Sequence, residues 1–218
     1  MELDDSVSIA RTREECYRLL AACFYLPEKE ILDADNFFPA LSSHLARTFP
    51  SATRFSDRMR ESLAVYSEEE LAVEYSKLFV GPFELKAPPY GSVYLDGNRT
   101  VMGASTGDVH QFYLSCGLKL ADDFHELPDH IAVELEFMSY LIHQQSAATA
   151  AGNVKEAERF ARLQEKFLEK YLVPWLGGFC SAIREGCDNQ FYRALADTLE
   201  AVAQHDHARL ASGTTVHH

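Results

Sequence analysis

The sequence predicts an all-α fold: a single-domain helical bundle of about eight to ten helices with a long Pro/Gly-rich loop near its middle. Three observations predict it. Apolar residues recur at helical spacing along most of the 218 residues. Cap-forming residues stand where those patterns begin, and Gly or Pro where they end. No internal repeat or low-complexity linker divides the chain, so residues 1–218 read as one domain, with a helical half at about 8–80, a loop at 81–107 and a second half at about 106–204.

In chain order, Ile9 to Tyr25 carries Cys16, Leu19, Leu20, Cys23 and Phe24 on a helix that Pro27 ends. Ile31 to Leu45, interrupted by Pro39, suits one or two short helices. Ser67-Glu68-Glu69-Glu70 is a capping box, because the Ser67 hydroxyl takes a free amide while Glu70 reaches back. The following helix aligns Leu71, Tyr75, Leu78 and Phe79, and Gly81-Pro82 stops it. Residues 81–107 hold Pro88-Pro89, five glycines and the turn Asp96-Gly97. Val93-Tyr94-Leu95 and Thr100-Val101-Met102 flank that turn as a short hairpin would. A loop this long in a compact domain points to function.

Thr106 is placed to cap a helix to Cys116, with Asp108 in its first turn and Gly117 closing it. Pro128 opens the clearest helix, where Ile131, Leu135, Met138 and Ile142 form one buried face. Gly152-Asn153 is a stop followed by a cap. Val154 to Leu172 turns Phe160, Leu163, Phe167 and Tyr171 inward. Pro174 suits the first position of a helix bearing Trp175, Phe179 and Ile183. Phe191, Leu195, Leu199 and Val202 mark the last helix, and a polar tail from about His205 is expected to fray.

Twenty Lys and Arg stand against 33 Asp and Glu, a net charge of −13. Such a surface repels phosphate backbones and anionic membranes and favours basic partners, so no nucleic acid is expected. Met1-Glu2-Leu3-Asp4-Asp5 has neither the basic nor the apolar region of a secretory signal. The longest apolar run, Leu19 to Leu26, is too short to cross a bilayer, so no membrane insertion and a cytoplasmic location are expected. Five cysteines without a C-x-x-C read as buried, reduced thiols rather than a disulfide framework.

The phosphate-binding loop, H-E-x-x-H, Glu-x-x-His and G-x-S-x-G patterns are all missing. One polar cluster remains: His125, Glu126, Asp129, His130 and Glu134. A metal reading takes His125, His130 and Glu134, though the spacing is not a usual zinc spacing. An acid–base reading has Asp129 orienting His130 without a nearby nucleophile. The plain alternative is that Pro128 and Asp129 only start a helix. The second feature is the aromatic, Pro- and Gly-rich stretch from Tyr75 to Leu95, which suits an apolar groove with a rigid lip, or equally a loop pinned to the core. From Gly81 to His130 seven acidic residues face three basic ones, a local net of −4 that would attract a basic peptide.

Tyr75-Ser76-Lys77-Leu78-Phe79-Val80-Gly81-Pro82, Pro88-Pro89-Tyr90-Gly91-Ser92-Val93-Tyr94-Leu95, Met102-Gly103 and Glu126-Leu127-Pro128-Asp129-His130-Ile131 together resemble the TorD family of molybdoenzyme chaperones, which includes DmsD-type and NarJ-type proteins. The resemblance is specific from about residue 75 to 138. It implies an all-α, non-enzymatic chaperone, without a cofactor of its own, monomeric or dimeric. Such a chaperone binds the twin-arginine signal peptide and apo catalytic subunit of a client from the dimethyl sulfoxide reductase family, until molybdopterin guanine dinucleotide is inserted and export follows. The family's Asp-His pair is matched by Asp129 and His130, and its groove by Leu78, Phe79, Pro89 and Tyr90; Gly103 and Glu126 complete the expected peptide site. Glu-Leu-Pro-Asp-His is nearer the nitrate reductase branch, whereas Pro-Pro-Tyr-Gly-Ser-Val-Tyr-Leu is nearer the trimethylamine oxide branch. The other readings are a small His/carboxylate metal-dependent hydrolase and an acidic helical scaffold.

Overall fold

The computed structural model of the chain describes residues 2–32, 36–81, 85–97, 100–119 and 126–214. The elements are α1 (Glu2–Ala22), α2 (Lys29–Leu32), α3 (Phe37–Thr48), α4 (Pro50–Leu63), α5 (Glu68–Tyr75), α6 (Gly91–Leu95), α7 (Ala104–Ser115), α8 (Ile131–Ala150), α9 (Val154–Phe167), α10 (Val173–Gly186) and α11 (Gln190–Thr214). π-Helical turns at Ser76–Val80 and Leu168–Leu172 prolong α5 and join α9 to α10. Helix α1 lies against α3 and α8, α8 against α9, and α11 against α4 and α10. Helices from both ends of the sequence therefore share one core. Among the described residues no helix is long and apolar enough to cross a membrane.

Local signals formed as expected where their partners are near in sequence. Ser67 and Glu70 make both hydrogen bonds of the capping box. Asn153 caps α9 by accepting from the Glu156 amide, after Gly152 at φ 70° has ended α8. Ile131, Leu135, Met138 and Ile142 are fully buried. All five cysteines are free and buried.

Four expectations changed. The stretch around Asp96-Gly97 is no hairpin: residues 91–95 form α6 instead, since the amide end of that helix is taken by the Asp129 carboxylate, distant in sequence. The α7 cap is not Thr106, whose buried hydroxyl has no partner among the described residues; the Asp96 carboxylate accepts from the Ser105 amide and hydroxyl at 3.2 and 3.0 Å. Pro128 does not open α8, which begins at Ile131 after the His130 cap. The C-terminal stretch does not fray at His205, because α11 continues to Thr214 around a buried ion pair. Pro174 lies in a continuous helical path, just after a turn in which Val173 N–H reaches back to Leu168 O. That widened turn accommodates the proline's missing donor and its ring. Helix α4, started by Pro50, carries no expectation from the sequence: its buried face is Ala52, Ser56, Met59, Ser62 and Leu63, mostly too small or polar to stand out.

The polar fastening of the core is Asp206. Arg13 donates to its two oxygens at 3.0 and 2.7 Å, Tyr17 donates at 3.0 Å, and Arg209 at 3.0 Å. Arg13 also donates to Gln164, which reaches Gln145. Helices α1, α8, α9 and α11 are thus joined by one network. Burial raises the Asp206 carboxyl, but the charges and hydrogen bonds of Arg13 and Arg209 outweigh it and hold the pKa below the ordinary value. Asp206→Ala leaves Arg13 buried and unpaired. It should cost roughly 3–5 kcal/mol in urea unfolding at neutral pH. Because the folded pKa is depressed, this stabilisation is complete above the unfolded value of about 4. The gap between wild type and variant should therefore close as pH falls through the folded pKa.

Candidate functional site

The candidate site is built where the Pro-rich loop meets the start of α8. Gly91 N–H donates to Asp129 O and Ile131 N–H to Pro89 O, both at 2.9 Å, pairing Tyr90 with His130 in a single antiparallel bridge. Asp129 Oδ2 accepts from the Ser92 amide at 2.8 Å, which fixes the first turn of α6. Gly91 leaves room for the Trp175 indole, whose nitrogen would lie 3.1 Å from a Cβ there, a tight contact. Tyr94 stacks on the same indole, and Trp175 donates to the buried Glu134 at 3.2 Å. Burial pushes the Glu134 carboxyl well above its usual range, against the pull of that hydrogen bond.

Asp129 and His130 are 1% and 3% exposed, so both face the protein more than solvent. His130 caps α8, its Nδ1 accepting from the Ala132 amide at 3.2 Å. This requires an unprotonated Nδ1. Burial lowers the imidazole pKa accordingly, opposed by the charges of Glu126 and Asp129. The ring stacks on Tyr25 and meets Tyr90 edge-on, at centroid distances of 6.3 and 5.3 Å. Each tyrosine donates to a carboxylate: Tyr90 to Glu126 at 3.1 Å, Tyr25 to Glu136 at 3.0 Å. Burial and then the charges of both Glu136 and Glu126 push the Tyr25 hydroxyl up, so the two carboxylates flank one aromatic surface. Glu126 is 37% exposed and Glu136 is exposed, which leaves acceptor capacity for a cation from outside.

The expected site residues thus divide. Tyr90, Glu126, Asp129 and His130 come together. Leu78 and Phe79 lie inside the core, Phe79 against Phe24, Tyr75, Phe179 and Tyr192, and Pro89 is buried beneath the bridge. These three support the surface from below. Gly103 acts locally, since a Cβ there would fall 1.8 Å from the Asp96 oxygen that caps α7. Tyr25 and Glu136 carry no expectation from the sequence. His130 and Glu134 share a helix face but serve different partners, and among the described residues no group of three or more His, Cys, Asp or Glu could hold a metal. His125 lies outside the described residues. A cleft of about 620 Å³ between α5 and the α10–α11 connection lies elsewhere. Its polar groups largely satisfy one another: Glu70 bonds Ser67, Lys77 pairs with Glu74, and Lys86 donates to Gly186 O.

With this geometry in place, comparison with known proteins identifies the lineage. The model of the nitrate reductase delta subunit family matches residues 39–181, a span that includes the bridge, α6 and most of the acidic rim. The chain belongs to this family. Chaperone protein TorD of a Psychrobacter species is 33% identical over 144 residues, 65% of this chain and 62% of that protein. The aligned part is thus less than two thirds of that relative's length. The Tat proofreading chaperone DmsD of Salmonella typhimurium is 28% identical over 178 residues, 82% of this chain and 80% of that one. The crystal structure of a candidate redox enzyme maturation protein from Archaeoglobus fulgidus shares the fold at 20% identity and a TM-score of 0.52, over 87% of this chain and 93% of that one. The first two of these proteins are named as chaperones and the third as a redox enzyme maturation protein.

Two outcomes follow from the local geometry. Gly103→Ala forces the Asp96 carboxylate away from the Ser105 amide and hydroxyl and should destabilise the protein by about 1–2 kcal/mol, measured by urea unfolding. His130 binds its proton less readily folded than unfolded. Its contribution to stability is therefore full above about pH 6.5 and declines as pH falls. His130→Asn, a cap that does not titrate, should flatten the stability profile between about pH 7 and 5 relative to wild type.

Proposed function

We propose that the chain is a maturation chaperone for a molybdopterin-dependent oxidoreductase. It binds the client's twin-arginine signal peptide and its apo catalytic subunit, in the cytoplasm, while the client receives molybdopterin guanine dinucleotide. The client class that fits the resemblance is the dimethyl sulfoxide reductase family. The observation that carries the reading is the pair of tyrosine-bonded carboxylates, Glu126 and Glu136, on either side of the His130 aromatic stack.

A guanidinium is planar, permanently charged and weakly hydrated, so it suits carboxylates set beside aromatic faces. Glu126 and Glu136 accept its hydrogen bonds, while Tyr25 and Tyr90 hold the carboxylates in place and offer ring surface. Asp129 and His130 act beneath them. Asp129 anchors the Tyr90 segment, and His130 separates the two tyrosines. In this reading the Asp-His pair positions the site, and the groups meeting the peptide are those of the rim. The molybdenum cofactor belongs to the client, so no pocket for it is required here.

The test is calorimetric titration of the full chain with signal peptides from several molybdoenzymes, each beside a version with both arginines replaced by alanine. One peptide should bind tightly and lose most of its affinity without the arginines. Glu126→Gln and Glu136→Gln should each weaken it by about tenfold, the cost of a charge-assisted contact. Added salt should weaken wild type more than either variant. Tight binding that ignores the arginines, or that both Gln variants retain, would overturn the assignment.

A further inference from the structure

A second surface continues from the rim. Between the end of α1 and α2 lies a cleft of about 260 Å³ lined by Cys23, Tyr25, Leu26, Pro27, Ile31 and Leu32, with Glu28 at its edge. It is below the roughly 300–1,000 Å³ of small-molecule pockets and suits apolar side chains rather than a nucleotide or cofactor. Leu26 and Ile31 are 59% and 51% exposed, large apolar side chains that no other part of the described chain covers. Burial holds the Cys23 thiol neutral, its pKa pushed up to about 12, so the floor is uncharged. Tyr25 joins this cleft to the acidic rim: its ring lines the cleft and its hydroxyl donates to Glu136.

We infer that the α1–α2 cleft receives the apolar segment adjoining the arginine pair of the client's signal peptide. The inference rests on the peptide-binding reading above and adds a second subsite to it. Continuity through Tyr25 selects this occupant. A peptide whose arginines meet Glu126 and Glu136 has its neighbouring apolar residues within reach of Leu26 and Ile31, so charge and apolarity are matched in the same order along one surface. Arginines present in many exported clients then supply the common part of recognition, and the shape of the apolar residues supplies the distinction among them.

The experiment titrates the full chain, Leu26→Asp and Ile31→Asp with three peptides: the intact signal peptide, one with its apolar residues changed to serine, and one with both arginines changed to alanine. Circular dichroism checks each fold, and both positions are exposed enough to spare the core. The serine peptide should bind wild type about tenfold or more weakly, the loss expected for one buried aliphatic side chain. Leu26→Asp should cost a similar factor with the intact peptide and little further with the serine peptide, since both changes remove one contact. If both Asp variants bind the intact peptide as wild type does while dependence on the arginines remains, the cleft assignment is overturned and the rim stands. If the alanine peptide binds wild type as tightly as the intact one, or no peptide binds, the rim reading fails and the cleft assignment with it.

Discussion

Two backbone hydrogen bonds, Gly91 to Asp129 and Ile131 to Pro89, hold the segment between α5 and α7 against the start of α8. A Pro-rich segment has few amides and no regular partner, so its position must be imposed from outside. Here the imposed contact is short and strict. It sets Tyr90 beside His130, points the Ser92 amide at the Asp129 carboxylate, and brings the indole of Trp175 close against Gly91. The carboxylate rim then follows, because Tyr90 holds Glu126 and the His130 ring supports Tyr25, which holds Glu136. Moving the bridge by one residue would turn Tyr90 and His130 to the opposite side and disperse the site.

How much of this was legible depended on sequence separation. The Ser67 capping box, the Gly152-Asn153 boundary and the buried stripe of α8 are written within a few residues and formed as expected. Asp96 capping α7 from nine residues away was harder, because Thr106 offered a nearer oxygen. The hairpin expectation failed for the same reason: the residues around Asp96-Gly97 look like a turn, but the acceptor that starts α6 is Asp129, 37 residues on from Ser92. Tyr25 and Glu136 are 111 residues apart, and nothing in the local pattern of either marks it as a partner of the other. Helix α4 was silent because the approach of α11, with Thr198 against Met59, favours small residues where a stripe of Leu would have announced a helix.

The site residues expected from the resemblance lie partly at one surface and partly in the core beneath it. Chemistry-bearing side chains such as Asp129 and His130 invite direct assignment to a ligand, yet burial gives them backbone amides as partners. Leu78 and Phe79 similarly belong to the aromatic core under the surface. Substituting any of these would disturb the rim above them, which is how a supporting residue and a contacting one come to look alike when only binding is measured. The two polar clusters differ in character: the network around Asp206 is buried and fastens the helices, whereas the aromatic and carboxylate surface at Tyr90 and Glu126 is half-exposed.

The five cysteines have a consequence of another kind. All are buried, and burial moves their thiols up, Cys16 and Cys23 to about 12. At neutral pH almost none is a thiolate, and the thiolate is the species that attacks a disulfide or takes a soft metal. Buried neutral thiols of this kind neither exchange readily with a disulfide brought to the surface nor draw a soft metal ion from it.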